Sequence, residues 1–254
     1  MGERSNRRDG IGWTGDFVDR AAQPDLHGTL ERDGARSGTW SNLQTEELIE
    51  VLAADPGRSQ VTPRHALLLA LGAAICVAGA GLLATLGIRP DFADALMTVR
   101  FPFKFVVTMT VAASAFVLLQ RSLYPGFHRR VSSAVLLPGP LLLLAAANAE
   151  LFLVPPDQWL SSAVGQNSML CLSAIPSLGA VPLAIFIAAL RQGAPTRPEV
   201  AGALAGTLAG AIAATFYAAQ CTDDSPLFVA SWYPIAIGML GASGASAGRF
   251  FIKW

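Results

Sequence analysis

The stretch Gln220-Cys221-Thr222-Asp223-Asp224-Ser225-Pro226-Leu227-Phe228-Val229-Ala230-Ser231-Trp232-Tyr233 joins two long apolar runs, Val200–Gln220 and Leu227–Gly248. Each run has about the length, roughly 20 residues, that a helix needs to cross a bilayer. Neither alternates apolar with polar residues, so the strands of a membrane barrel do not fit and helices do. The polar loop between them holds one cysteine, two adjacent carboxylates and a proline. The stretch therefore reads as the turn of a membrane hairpin.

Four more apolar runs precede it: Ala66–Ile88, Phe103–Leu119, Ala134–Val154 and Leu170–Leu190. Pro138 and Pro140 lie near the start of the third, and Pro176 and Pro182 interrupt the fourth. Hydrophobic residues make up 52% of the chain and charged residues 14%, against about 25% charged in soluble domains. Mean hydropathy is +0.46. The expected fold class is all-α: a polytopic integral membrane protein with six transmembrane helices over residues 66–254, carrying a short cytoplasmic amphipathic helix. More than half of the charged residues fall in residues 1–65. Residues 1–42 form a polar tail expected to be disordered, and 43–65 an amphipathic helix with its linker. Net charge is zero, which gives no support for a nucleic-acid partner. The charged first residues, Met1 to Gly10, do not open a signal peptide.

Loop charge sets the orientation. Arg58, Arg64, Arg121, Arg129, Arg130, Arg191, Arg197, Arg249 and Lys253 fall on one side, while the other has Arg89, Arg100 and Lys104 in its first loop. This bias predicts both termini in the cytoplasm. Trp159, Trp232 and Tyr233 then lie at the outer boundary and Tyr124 and Trp254 at the inner one, as interface aromatics do.

The same topology puts Cys171, at the start of the fourth span, level with Cys221, at the end of the fifth. Neighbouring helix axes stand about 8–10 Å apart, and the row Gly202, Gly206, Gly210 on span five would let span four come closer. A disulfide, two packed thiols and a sensing pair all remain open. Glu150, one turn inside the outer end of span three, and Asp223 and Asp224 form a possible supporting polar site, because an ionisable group in a span is a functional candidate. Two thiolates with carboxylates suit a soft metal ion, so Cys171 and Cys221 are the metal candidates. His27, His65 and His128 all fall on the opposite side, which argues against a catalytic zinc site. Cys76, in mid-span, reads as a small apolar core residue. The glycines of spans five and six, including Gly241, Gly244 and Gly248, point first to packing within the chain and second to a homodimer.

Ser41 to Asp55 has capping residues in Ser41, Gln44 and Thr45, acidic residues in its first turn, and Leu48, Ile49 and Leu52 on one face, before Pro56-Gly57. So short a helix needs a surface to pack on. Gly244-Ala245-Ser246-Ala247-Gly248 matches G-x-S-x-G, but within a small-residue span rather than at a strand-to-helix elbow. With no other catalytic cluster, no enzyme and no resident cofactor are expected. A small membrane transporter or channel is the alternative class, since broken helices can line substrate sites.

Thr45–Asp55, Glu150-Leu151, Pro155-Pro156, Trp159, Cys171, Ile175-Pro176, Leu190–Pro195 and above all Cys221–Tyr233 resemble the NrsF-like family of membrane anti-sigma factors. The resemblance covers about residues 43–254. It implies a six-span protein of the bacterial inner membrane that holds an extracytoplasmic-function sigma factor away from RNA polymerase. The sigma-binding element would be the N-terminal helix, through Glu46, Glu47, Leu48, Ile49 and Leu52 together with Glu50. The outer cysteines Cys171 and Cys221 would sense a metal or oxidative signal.

Overall fold

Proline opens four of the helices. Pro63, Pro138, Pro198 and Pro226 each occupy a first helical turn, where the missing N–H loses no bond and the ring fixes a helical φ. The structure is a computed structural model describing residues 49–50, 62–123, 134–193 and 195–252. The helices over these residues are α1 (Pro63–Thr85), α2 (Phe92–Leu96), α3 (Arg100–Ser122), α4 (Pro138–Leu153), α5 (Trp159–Val164), α6 (Ser168–Leu190), α7 (Pro198–Ala218) and α8 (Pro226–Phe251), with a 3-10 turn at Pro156–Gln158 before α5. No strand occurs among the described residues. The chain divides into Met1–Gln60 and Val61–Trp254. In the first unit only Ile49 and Glu50 are described, both helical and exposed. The rest of the proposed sigma-binding helix lies outside the described residues.

Five helices, α1, α3, α6, α7 and α8, are long and apolar enough to cross a membrane, and α4 is shorter. Its 16 residues rise roughly 24 Å at about 1.5 Å each. The expected span Ala134–Val154 is cut at its start because Pro138 and Pro140 offer no N–H to the preceding turn. In α6 the helix instead runs on through Pro176 and Pro182, leaving the carbonyls four residues back without their usual donors.

α7 is the axis of the bundle. Leu208 to Ala214 are buried without a break, as in a helix surrounded on all sides. It packs on α1, α3, α6 and α8, most closely on α8. A Cβ on Gly202 or Gly206 would strike the backbone of Gly244 or Leu240, and one on Gly248 the carbonyl of Pro198. Only glycine permits this approach. The glycine row expected to draw α6 towards α7 thus faces α8, because its partner Gly241–Gly248 row lies there. Packing within the chain accounts for both rows.

Two further expectations are corrected. Cys76 is exposed on the bundle surface, because Ala74 and Ala78 take the inward positions of α1. Tyr233 is 1% exposed and packs on Tyr217 instead of lying at a boundary, since the turn of α8 that carries it faces α7.

Candidate functional site

The loop 219–225 between α7 and α8 is the centre of one end of the bundle, called here the polar end. Two cations rise to it from the first hairpin. Lys104 lies one turn inside α3 and is fully buried, and Arg89 is 8% exposed. The Lys104 Nζ donates to the Cys221 carbonyl at 2.9 Å and meets Asp224 Oδ1 at 2.6 Å. Arg89 Nη1 donates to the same carbonyl at 3.4 Å and to Asp224 Oδ2 at 3.0 Å. A buried cation needs such partners, since leaving water unpaired would be prohibitive. The Arg89 Nε and Nη2 close on Asp91 at 2.7 and 2.6 Å. Hydrogen bonding to Asp91 raises the Arg89 pKa above its ordinary value, and hydrogen bonding to Arg89 lowers that of Asp91. Both cations also lie over the Phe101 ring, at 5.2 and 5.1 Å, where the ring's negative face meets positive charge.

The remaining carboxylates serve helix ends. Glu150 is 3% exposed; its Oε2 accepts from the Leu227 amide and the Ser225 hydroxyl, each at 2.8 Å. A carboxylate there caps α8 and meets the positive end of its dipole. Its Oε1 pairs with Arg100 at 3.3 Å. Asp223 Oδ2 accepts from the amides of Gln166 and Asn167 and from Asn167 Nδ2, at 3.1, 2.8 and 2.9 Å, at the mouth of α6. Gly165, just before, has φ +59°, and a Cβ on it would strike Phe228 and Asp223. The Trp232 indole donates to the Ala163 carbonyl at 2.9 Å, tying α8 to α5.

This lacing sets the two cysteines together. Cys171 follows Asn167 by one turn, its amide donating to the Asn167 carbonyl at 2.8 Å, and Cys221 precedes Asp223 by two residues. The Asn167–Asp223 bonds therefore hold both cysteines at one place. Both side chains are fully buried, both thiols are free, and they lie within electrostatic range of each other. Burial pushes the Cys221 thiol up, while the Lys104 ammonium and the Asp223 carbonyl, 3.9 Å from Sγ, pull the other way.

Cys171, Cys221, Glu150, Asp223 and Asp224 all meet at the polar end, as the hairpin geometry requires. Among the described residues no group of three or more His, Cys, Asp or Glu stands ready to hold a metal ion. The carboxylates are taken up as caps and ion-pair partners, which leaves the two thiols as the soft donors. Sequence reasoning missed Arg89, Lys104 and Asn167. Lys104 counted as a loop charge, yet it sits inside α3, and a lysine within a span is itself a signal of a buried partner.

The sequence model of a family described as NrsF, negative regulator of sigma F, matches residues 52–254. The chain is 31% identical over 217 residues to the anti-sigma-F factor NrsF of Caulobacter vibrioides (strain NA1000 / CB15N), a match covering 84% of this chain and 100% of that protein. It is 33% identical over 218 residues to the probable anti-sigma-F factor NrsF of Azospira oryzae (strain ATCC BAA-33 / DSM 13638 / PS), covering 84% and 100%. No solved structure matches.

Proposed function

The chain belongs to the NrsF family of negative regulators of sigma F, and from that premise we propose that it sequesters a sigma factor of the extracytoplasmic-function type at the bacterial inner membrane. The observation that carries this reading is the extent of the family match, which takes in every described helix of the bundle. The sigma factor docks on the helix Thr45–Asp55, with Leu48, Ile49 and Leu52 as its apolar contacts and Glu46, Glu47 and Glu50 meeting basic residues on the partner. The exposure of Ile49 is in keeping with such a surface. Positive charge in the loops supports cytoplasmic termini, and the polar end then faces outward.

Cys171 and Cys221 receive the signal, a soft metal ion or an oxidant. Their burial at one end of the bundle, Cys171 in the first turn of α6 and Cys221 in the loop that Lys104 and Arg89 brace, supports a single site. A change at either sulfur acts on a segment joined to α3, α6 and α8 at once. How that change reaches the docking helix requires a two-state element.

Tagged full-length chain recovered from membranes should carry the sigma factor with it. Leu48→Asp with Leu52→Asp should reduce capture more than tenfold, because each buried leucine contributes about 1.5–3 kcal/mol and about 1.4 kcal/mol is a factor of ten. Undiminished capture rejects this helix as the docking element.

A further inference from the structure

Neither the ion pairs nor the helix caps use Tyr217 and Tyr233. The two are 0% and 1% exposed, with ring centroids 6.2 Å apart. Each hydroxyl is enclosed and has no hydrogen-bond partner. Nearly all buried polar atoms are paired, so two orphaned donors side by side require an explanation.

Both tyrosines belong to the same buried cluster as the two cysteines. Tyr217 precedes Cys221 by one turn, its carbonyl accepting from the Cys221 amide at 3.0 Å. Both hydroxyls lie within electrostatic reach of both sulfurs, and that of Tyr217 comes close to Cys221 without meeting the geometry of a hydrogen bond. A neutral thiol is a weak acceptor. A sulfur carrying negative charge is a strong one.

Resting on the reading of Cys171 and Cys221 as the sensing pair, we propose that the Tyr217 and Tyr233 hydroxyls complete a binding site for a thiophilic metal cation by donating to the two sulfurs once the metal has replaced their protons. Uptake of a divalent ion breaks two S–H bonds, forms two metal–sulfur bonds and releases two protons to water, with no change of oxidation state. The phenols are donors to the ligands rather than ligands. Groups in that position orient and tune metal-binding atoms, and their loss weakens metal affinity. The hydroxyls gain their acceptors only in the loaded state, so they favour that state over the free one. Thiolate sulfur selects soft ions, and among the described residues this end of the bundle has no histidine to broaden the choice.

The test is a titration of the purified full-length chain in detergent with cadmium ion, read by the ultraviolet thiolate-to-metal charge-transfer band. Tyr217→Phe and Tyr233→Phe keep the rings and remove only the orphaned hydroxyls. Both should fold, with metal-free melting temperatures equal to or above wild type. Each should weaken cadmium binding about tenfold, the scale of a hydrogen bond to a charged acceptor, and Cys171→Ser should abolish the band. Wild-type affinity in both phenylalanine variants, with Cys171→Ser inert, overturns the tyrosine role and leaves the cysteine pair standing. A lower metal-free melting temperature in the phenylalanine variants also overturns it, because the hydroxyls would then be satisfied at rest. Undiminished binding by Cys171→Ser, or no band in wild type, overturns the metal site itself.

Discussion

The polar end and the α7–α8 seam are both held tightly, by opposite means. The seam is built from residues that have almost no side chain. Its glycines let two backbones touch, and dispersion over a long contact does the rest. The polar end is built from charged side chains reaching across the bundle, Arg89 to Cys221 over 132 positions and Ser225 to Glu150 over 75. The seam has one way to pack. The polar end depends on charges and thiols that a ligand, a proton or an oxidant can alter.

The largest effect should come from Lys104→Met, which removes the closest partner of Asp224 and a donor to the Cys221 carbonyl. Breaking a buried pair from one side costs about 3 kcal/mol or more, to be read as a lower melting temperature in detergent. Adding Asp224→Asn should restore part of the loss, because coupled residues are not additive. Gly206→Val tests the seam. Pressing a side chain into the Leu240 backbone should cost about 1–3 kcal/mol and leave cadmium binding by the folded protein unchanged. If it weakens cadmium binding as strongly as Cys171→Ser, the two regions are not separable.

Glu150→Gln should cost about 1 kcal/mol or less, since the amide oxygen can still accept from Leu227 and only the charge facing Arg100 and the α8 dipole is lost. The smallest effect is that of Asp91, whose carboxyl is held below its usual range by Arg89. The stability this gives is present above the unfolded carboxyl range, about 3.9, and is lost as pH falls through the lower folded value. Asp91→Asn should flatten that part of the acid-unfolding curve and lower stability at neutral pH by the same small amount that acid otherwise removes.

The seam and the spans were legible because they depend on residues close in sequence. Run length gave the helices, and small residues at every fourth position marked the close contact, though not which neighbour it served. The polar end was legible only in part. The hairpin placed Cys171 beside Cys221, and Glu150 was singled out as a carboxylate within a span. Its role as a cap on α8 was not, because Ser225, which precedes α8, comes 75 residues later. Asp223 and Asp224 read as a supporting polar site because adjacent carboxylates follow a cysteine. Their partners lie on α3, on the α1–α2 loop and at the start of α6, and run lengths alone do not reveal which loops meet. Lys104 was misplaced for a related reason: a charge near the end of an apolar run reads as loop flank, whether it faces water or the core.

In the proposed function, Cys171 and Cys221 act as one site controlling release of the sigma factor. The direct measurement is the amount of sigma factor recovered with tagged full-length chain from membranes, before and after cells meet a thiophilic metal or an oxidant. Wild type should hold it before and lose it after. Cys171→Ser, Cys221→Ser and the double variant should fail to release it to the same degree, since two residues of one site are not additive. Cys76→Ser, altered on the exposed face of α1, should release it as wild type does. Release by both single variants at the wild-type level would contradict the claim.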